Sequence, residues 1–166
     1  MGSRLSVHAE GATDLADVTF ERHSDTAAFG TQTIYGRARG THASPAVIQS
    51  GDSIARLIGV GYDGTDYGQA GEIRLQSVGT PGAGSMGADW IFLTSADGSE
   101  TPTEKMRLDA KGFLGIGTAS AMDTLHVESA ENQLARFCST NGNGRIRISD
   151  SSDDLFVGTA SGVAFF

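Results

Sequence analysis

The chain has 166 residues, of which 23 are glycine and 3 proline, with 12 Lys or Arg against 20 Asp or Glu, one Cys and one Trp. Glycine is about twice as frequent as usual but lacks the every-third spacing of a collagen triple helix, and a formal charge of −8 argues against nucleic acid or an anionic membrane as partner, because both select clustered cations. The lone Cys138 forms no intrachain disulfide, which excludes a disulfide-stapled module, and no apolar run approaches the length that spans a bilayer.

Leu, Ile, Val and Phe together make up 35 of the 166 residues, barely enough for a private core. A glycine inside a strand or helix costs roughly 0.5–1 kcal/mol relative to Ala, so most of the glycines belong in turns. A thin core of this kind is usually supplemented by oligomerisation.

In chain order, short apolar-polar-apolar pieces bounded by Gly, Asp, Ser and Asn predict half-buried strands. They fall at Leu5-Ser6-Val7, Ile73-Arg74-Leu75, Met106-Arg107-Leu108, Leu114-Gly115-Ile116, Leu125-His126-Val127, Ala135-Arg136-Phe137 and Ile146-Arg147-Ile148. The longer apolar runs at 54–60 and 90–93 suit strands covered on both faces. Turn signals separate the pieces at Asp63-Gly64, Asp97-Gly98, Lys111-Gly112, Asn141-Gly142 and Asn143-Gly144. Thr101-Pro102-Thr103-Glu104 has the form of a helix capping box, yet the period-2 residues after it favour a strand; one helical turn fits 128–134.

The segment Arg4-Leu5-Ser6-Val7-His8-Ala9-Glu10, followed by Leu15, Val18 and Phe20, is echoed by Thr124-Leu125-His126-Val127-Glu128, followed by Leu134, Ala135 and Phe137. This partial repeat divides the chain into a β-rich module over 1–120 and the start of a second, truncated copy over 121–166, as in a tandem array.

Several motifs resemble sites. Gly82-Ala83-Gly84-Ser85-Met86-Gly87 matches a dinucleotide fingerprint, but Thr80-Pro81 precedes it and a strand-like run follows, so a strand-to-strand loop is expected. The loop Tyr62-Asp63-Gly64-Thr65-Asp66-Tyr67 brackets two carboxylates with two tyrosines. Turn chemistry explains it, while sugar contact, calcium binding and carboxylate catalysis remain alternatives. His8, His23, His42 and His126 lack metal-ligand spacing, and no nucleophile stands in an elbow motif. Cys138 is expected to be a small buried hydrophobe, and Trp90 a core or subunit-interface residue.

The run Glu104-Lys105-Met106-Arg107-Leu108-Asp109, then Gly112, Gly115-Ile116-Gly117-Thr118 and Leu125-His126-Val127, closely resembles the ERMRID, VGIGT and LHV elements of bacteriophage tail fibre and tailspike proteins. Many of these carry a C-terminal intramolecular chaperone, and none follows Phe166, which points to its removal or omission. The usual Ser-Pro is Ser120-Ala121 here. The resemblance implies an all-β, elongated, intertwined homotrimeric fibre module of short strands and Gly-rich turns, in which Gly115 and Gly117 allow close backbone approach. It implies a virion structural protein made in the host cytoplasm, without cofactor or enzymatic activity. Its partners would be itself, other tail or baseplate proteins and a bacterial surface glycan or receptor. Tyr62, Asp63, Asp66 and Tyr67 are the candidate contact residues. A head-decorating fibre of the same module is a close variant; a tailspike depolymerase and a monomeric β-sandwich lectin are the rival classes.

Overall fold

The computed structural model describes His23 and residues 31–131, 134–140, 143–149, 154–160 and 163–165. Among them all regular structure is β, with no helix. Strands β1 (Arg39–Gly40) and β2 (Pro45–Ala46) form a two-stranded ribbon. The main sheet holds β3 (Ser53–Tyr62), β4 (Tyr67–Ser77), β5 (Ala88–Thr94), β6 (Thr103–Leu108), β7 (Leu114–Ile116) and β8 (Leu125–Val127) in that spatial order. β9 (Asn143–Ser149), β10 (Asp154–Ala160) and β11 (Val163–Phe165) make a separate antiparallel meander.

Spatial order equals chain order because each antiparallel connection is local. Between β6 and β7, the Asp109 carboxylate accepts the backbone N–H groups of Lys111 at 2.8 Å and Phe113 at 2.9 Å, and Gly112 takes a φ of +87° that an L side chain resists. The capping-box sequence at 101–104 leads into β6, not a helix. Met106 and Leu108 each find a partner on both β5 and β7, and this pairing outweighs the local helix signal.

Three register shifts shape the sheet. Between β3 and β4 they leave Ile54 and Ala70 without an opposing residue, and between β5 and β6 one leaves Lys105 of β6 unopposed. The shift at Lys105 turns Glu104 onto the face that carries Arg107, where the two side chains pair.

β7 and β8 are the only parallel neighbours in the main sheet, and their junction is where backbone crowds backbone. Gly117 has a φ of +77° and donates its N–H to Lys105 O at 2.9 Å; a Cβ on it would lie 2.0 Å from Glu128 O. A Cβ on Gly115 would lie 2.6 Å from Thr118 O. The close approaches at this glycine pair thus occur within one chain, Gly115 against the β7–β8 connection and Gly117 against the segment after β8. The sheet crosses position 120, joining Leu125–Val127 to the strands before it. The first copy of the repeat, at 4–20, and the strand expected at Leu5-Ser6-Val7 lie outside the described residues, as does His8.

Four expectations change. Residues 134–139 are irregular, so Ala135-Arg136-Phe137 is not a strand, and residues 128–131 and 134 carry no helical turn. Cys138 is exposed, because among the described residues no element covers that irregular stretch. The apolar runs at 54–60 and 90–93 do become strands, but Leu57 and Trp90 are exposed on one face of the sheet and Ile58 and Val60 on the other: neither run is covered on both faces.

Replacing Gly117 with Val forces a β-branched residue into positive φ and a Cβ into the Glu128 carbonyl. The expected cost is more than about 2 kcal/mol, a fall in melting temperature of about 5 °C or more by calorimetry, whereas Gly59→Ala, in open space, changes it little.

Candidate functional site

Strand register sorts the main sheet into two unlike faces. On one, Leu57, Ile73, Phe92, Met106, Ile116 and Val127 stand directly opposite one another in an unbroken row from β3 to β8. A second row, two residues along each strand, runs Ala55, Leu75, Trp90, Leu108, Leu114 and Leu125. Among the described residues, little covers this apolar stripe. Leu57, Ile73, Trp90, Leu108, Ile116 and Leu125 are all exposed, and Tyr35 closes only one corner, lining a hollow with Ala55, Leu57, Ile73 and Trp90.

The opposite face is polar and yet better buried. The Glu72 side chain is wholly inaccessible and accepts hydrogen bonds from Arg56 Nε at 2.7 Å and Nη2 at 2.5 Å, from Arg74 Nε at 2.5 Å and from Gln69 Nε2 at 3.1 Å. Arg107 bridges two carboxylates, holding Glu104 through Nε at 2.8 Å and Nη2 at 2.6 Å, and Asp89 through Nη1. Ile91, only 2% exposed, stands between Arg74 and Arg107 as their direct cross-strand neighbour, beneath a lattice of three arginines and three carboxylates. A third centre, Asp52, ties the preceding segment to the sheet: its carboxylate accepts from Arg39 Nε at 2.6 Å, Arg37 Nη2 at 3.2 Å and the Gln49 N–H at 3.0 Å.

The residues singled out by sequence lie together at the β3–β4 hairpin tip. Tyr62 and Tyr67 face each other with ring centroids 5.5 Å apart and planes tilted by 57°, and both are exposed. Tyr62 donates its hydroxyl proton to Gly64 O at 3.0 Å, and Asp63 Oδ1 accepts from the N–H groups of Thr65 at 2.6 Å and Asp66 at 2.9 Å. Turn chemistry therefore accounts for Asp63. Sequence reasoning missed Glu100, which reaches over from the β5–β6 connection so that carboxylate oxygens of Asp63, Asp66 and Glu100 lie within 4.8 Å of one another. The Asp66 and Thr65 N–H groups hold the Asp63 carboxyl below its usual range, while the hydrogen bond and negative charge from Asp63 push Glu100 upward. The Gly82 to Gly87 motif is a loop between β4 and β5, closed by reciprocal N–H to carbonyl bonds of Gly82 and Ser85, both 2.9 Å.

The ion pairs on the polar face predict an acid limit. Arg56 and then Arg74 hold the Glu72 carboxyl well below the usual range, as Arg39 and the Gln49 N–H do for Asp52. Groups whose folded pKa is depressed stabilise fully above their unfolded values, near pH 4, and that contribution is lost as pH falls toward the folded values. The melting temperature should be level from neutral pH to about pH 5 and drop below about pH 4. Glu72→Gln should cost about 2 kcal/mol at pH 7 and flatten that drop.

No protein-family model matches the chain, and no curated protein matches it. Among solved structures, the carboxy-terminal domain of the bacteriophage T5 L-shaped tail fibre superposes with a TM-score of 0.51 at 18% identity, over 80% of this chain and 48% of that one. The same T5 domain with its intramolecular chaperone gives a TM-score of 0.49 at 18% identity, over 81% of this chain and 33% of that one. The chain thus spans about half, or less, of the tail fibre structures it matches, and it shares with the first of them an all-β fold.

Proposed function

We propose that the chain is a virion structural protein, a segment of a bacteriophage tail fibre that associates with two further copies of itself through the apolar stripe and contributes to host-surface attachment. One observation carries this reading: two apolar rows cross all six strands of the main sheet and stand largely uncovered among the described residues. Burying one Leu or Ile stabilises by about 1.5–3 kcal/mol, so leaving this face half in water forgoes an amount comparable with the roughly 5–15 kcal/mol of a whole domain. Contiguous apolar patches of this extent mark interaction surfaces. The fold shared with the T5 domain and the phage-fibre resemblance of Glu104 to Thr118 point the same way. The homotrimer comes from that resemblance, and neighbouring tail or baseplate proteins would be its further partners.

Attachment belongs to the hairpin tip, where Tyr62 and Tyr67 offer exposed aromatic surface beside the acceptors Asp63 and Asp66, a combination suited to sugar hydroxyls. The segment works without cofactor or catalysis. A polysaccharide depolymerase is a second reading, favoured by one observation: the neighbours Asp63 and Glu100 have carboxyls pushed in opposite directions, as an acid and its partner would.

Size-exclusion chromatography with light scattering should give a mass near three chains, and Leu57→Asp with Leu108→Asp should reduce it to the 17.2 kDa of one chain. A wild-type mass of one chain contradicts the reading. Tyr62→Ala with Tyr67→Ala should weaken binding to host cells at least tenfold at unchanged mass. Release of reducing ends from bacterial surface polysaccharide by the wild type, lost in Asp63→Asn, would select the depolymerase.

A further inference from the structure

We infer that Asp97-Gly98, in the turn between β5 and β6, is a site of spontaneous isoaspartate formation, and that the fold protects the chain's other Asp-Gly pair, Asp63-Gly64, from the same reaction. The inference does not depend on the assembly or attachment proposed above. It concerns two turns that share one sequence signal and differ in what holds their carboxylates.

The reaction needs only water. The Gly98 nitrogen bonds to Asp97 Cγ, and its proton leaves with a carboxyl oxygen as water, which closes a succinimide ring. Water then opens the ring: entry at Cγ restores aspartate, and entry at the main-chain carbonyl carbon leaves isoaspartate, whose backbone runs through the former side-chain methylene. Nothing is oxidised or reduced. A glycine at the second position favours closure because it has no Cβ to obstruct the ring. In a folded chain the rate then depends on whether the carboxyl is free to turn toward that nitrogen.

At Asp97 it is free. Ser95 anchors the start of the connection, donating its N–H to Ala70 O at 2.9 Å and its hydroxyl proton to Gln69 O at 2.7 Å. Residues 96–100 beyond it are exposed, and the Ser99 N–H closes the turn on Ala96 O at 3.0 Å. Gly98 takes a φ of +75° with open space around it. Among the described residues, neither the Asp97 carboxylate nor the Gly98 N–H has a hydrogen-bond partner.

At Asp63 it is held. Its Oδ1 accepts from the Thr65 N–H at 2.6 Å and the Asp66 N–H at 2.9 Å, and its own N–H donates to Asp66 O at 3.0 Å. Turning Cγ toward the Gly64 nitrogen breaks both carboxylate bonds. Those bonds also favour the ionised form, which is the poor electrophile. A hydrogen bond to a charged group that must be given up on attack slows the step by about tenfold or more. The product at 97 has a defined place in the fold: it adds a backbone atom to the connection that carries Glu100 to Asp63 and Asp66.

The test ages the native full chain for weeks at neutral pH beside the same chain unfolded in urea. Trypsin then separates the two pairs onto peptides 57–74 and 75–105. Isoaspartate is read on each by enzymatic isoaspartyl methylation and by electron-transfer fragmentation. Product at 97 should exceed product at 63 by about tenfold or more in the native chain, and the two should agree within about twofold in urea. Equal accumulation at both positions in the native chain, or none at 97 while the urea sample accumulates it there, overturns the inference. Gly98→Ala should suppress the product at 97 in the native chain, and its undiminished formation overturns the route through the Gly98 nitrogen.

Discussion

The structure turns on a sheet whose two faces have exchanged their usual roles. In an ordinary half-solvated sheet the apolar face is covered by the rest of the chain and the charges project into water. Here the arginines and carboxylates cover Ile91 and screen one another, while Leu57, Trp90 and Leu125 stand open. The only large apolar side chains buried among the described residues are Ile48 and Ile91. Within the described residues the sheet is held together by strand pairing and ion pairs more than by apolar burial.

That division explains the unusual composition. The polar face is balanced, three cations against three anions, so the net charge of −8 arises from other parts of the chain, including the acidic hairpin tip with Asp63, Asp66 and Glu100. Glycines serve in part to fold a single layer tightly: Gly117 is required by the Glu128 carbonyl that crosses it, and Gly112 by the turn that returns β6 to β7. A protein with few aliphatic residues can still present a continuous apolar surface when nine of its 35 Leu, Ile, Val and Phe residues are gathered on two adjacent rows.

Much of this was legible in the residues. The triplets Ile73-Arg74-Leu75, Met106-Arg107-Leu108, Leu114-Gly115-Ile116 and Leu125-His126-Val127 specify strands by alternation alone, and each one became a strand or part of one. Ala135-Arg136-Phe137 shows the same alternation but pairs with none of the described strands, and alternation without a partner is not enough. The stripe itself could not be read, because register depends on turn lengths and on the bulge at Lys105, which decides that Glu104 joins Arg107 instead of Met106. Sequence placed the tyrosine loop correctly at a turn, yet Glu100 comes to that tip from 34 residues after Asp66 through the sheet's own folding, a proximity no local pattern carries.

Trp90, the sole tryptophan, sits in the middle of the stripe at 44% exposure within one chain and reports directly on whether that face is covered. The decisive measurement is its fluorescence and acrylamide quenching in the native protein across a dilution series. A covered stripe gives blue-shifted emission and weak quenching that persist on dilution and are lost only with unfolding. Emission and quenching of a half-exposed indole at every concentration would contradict the account.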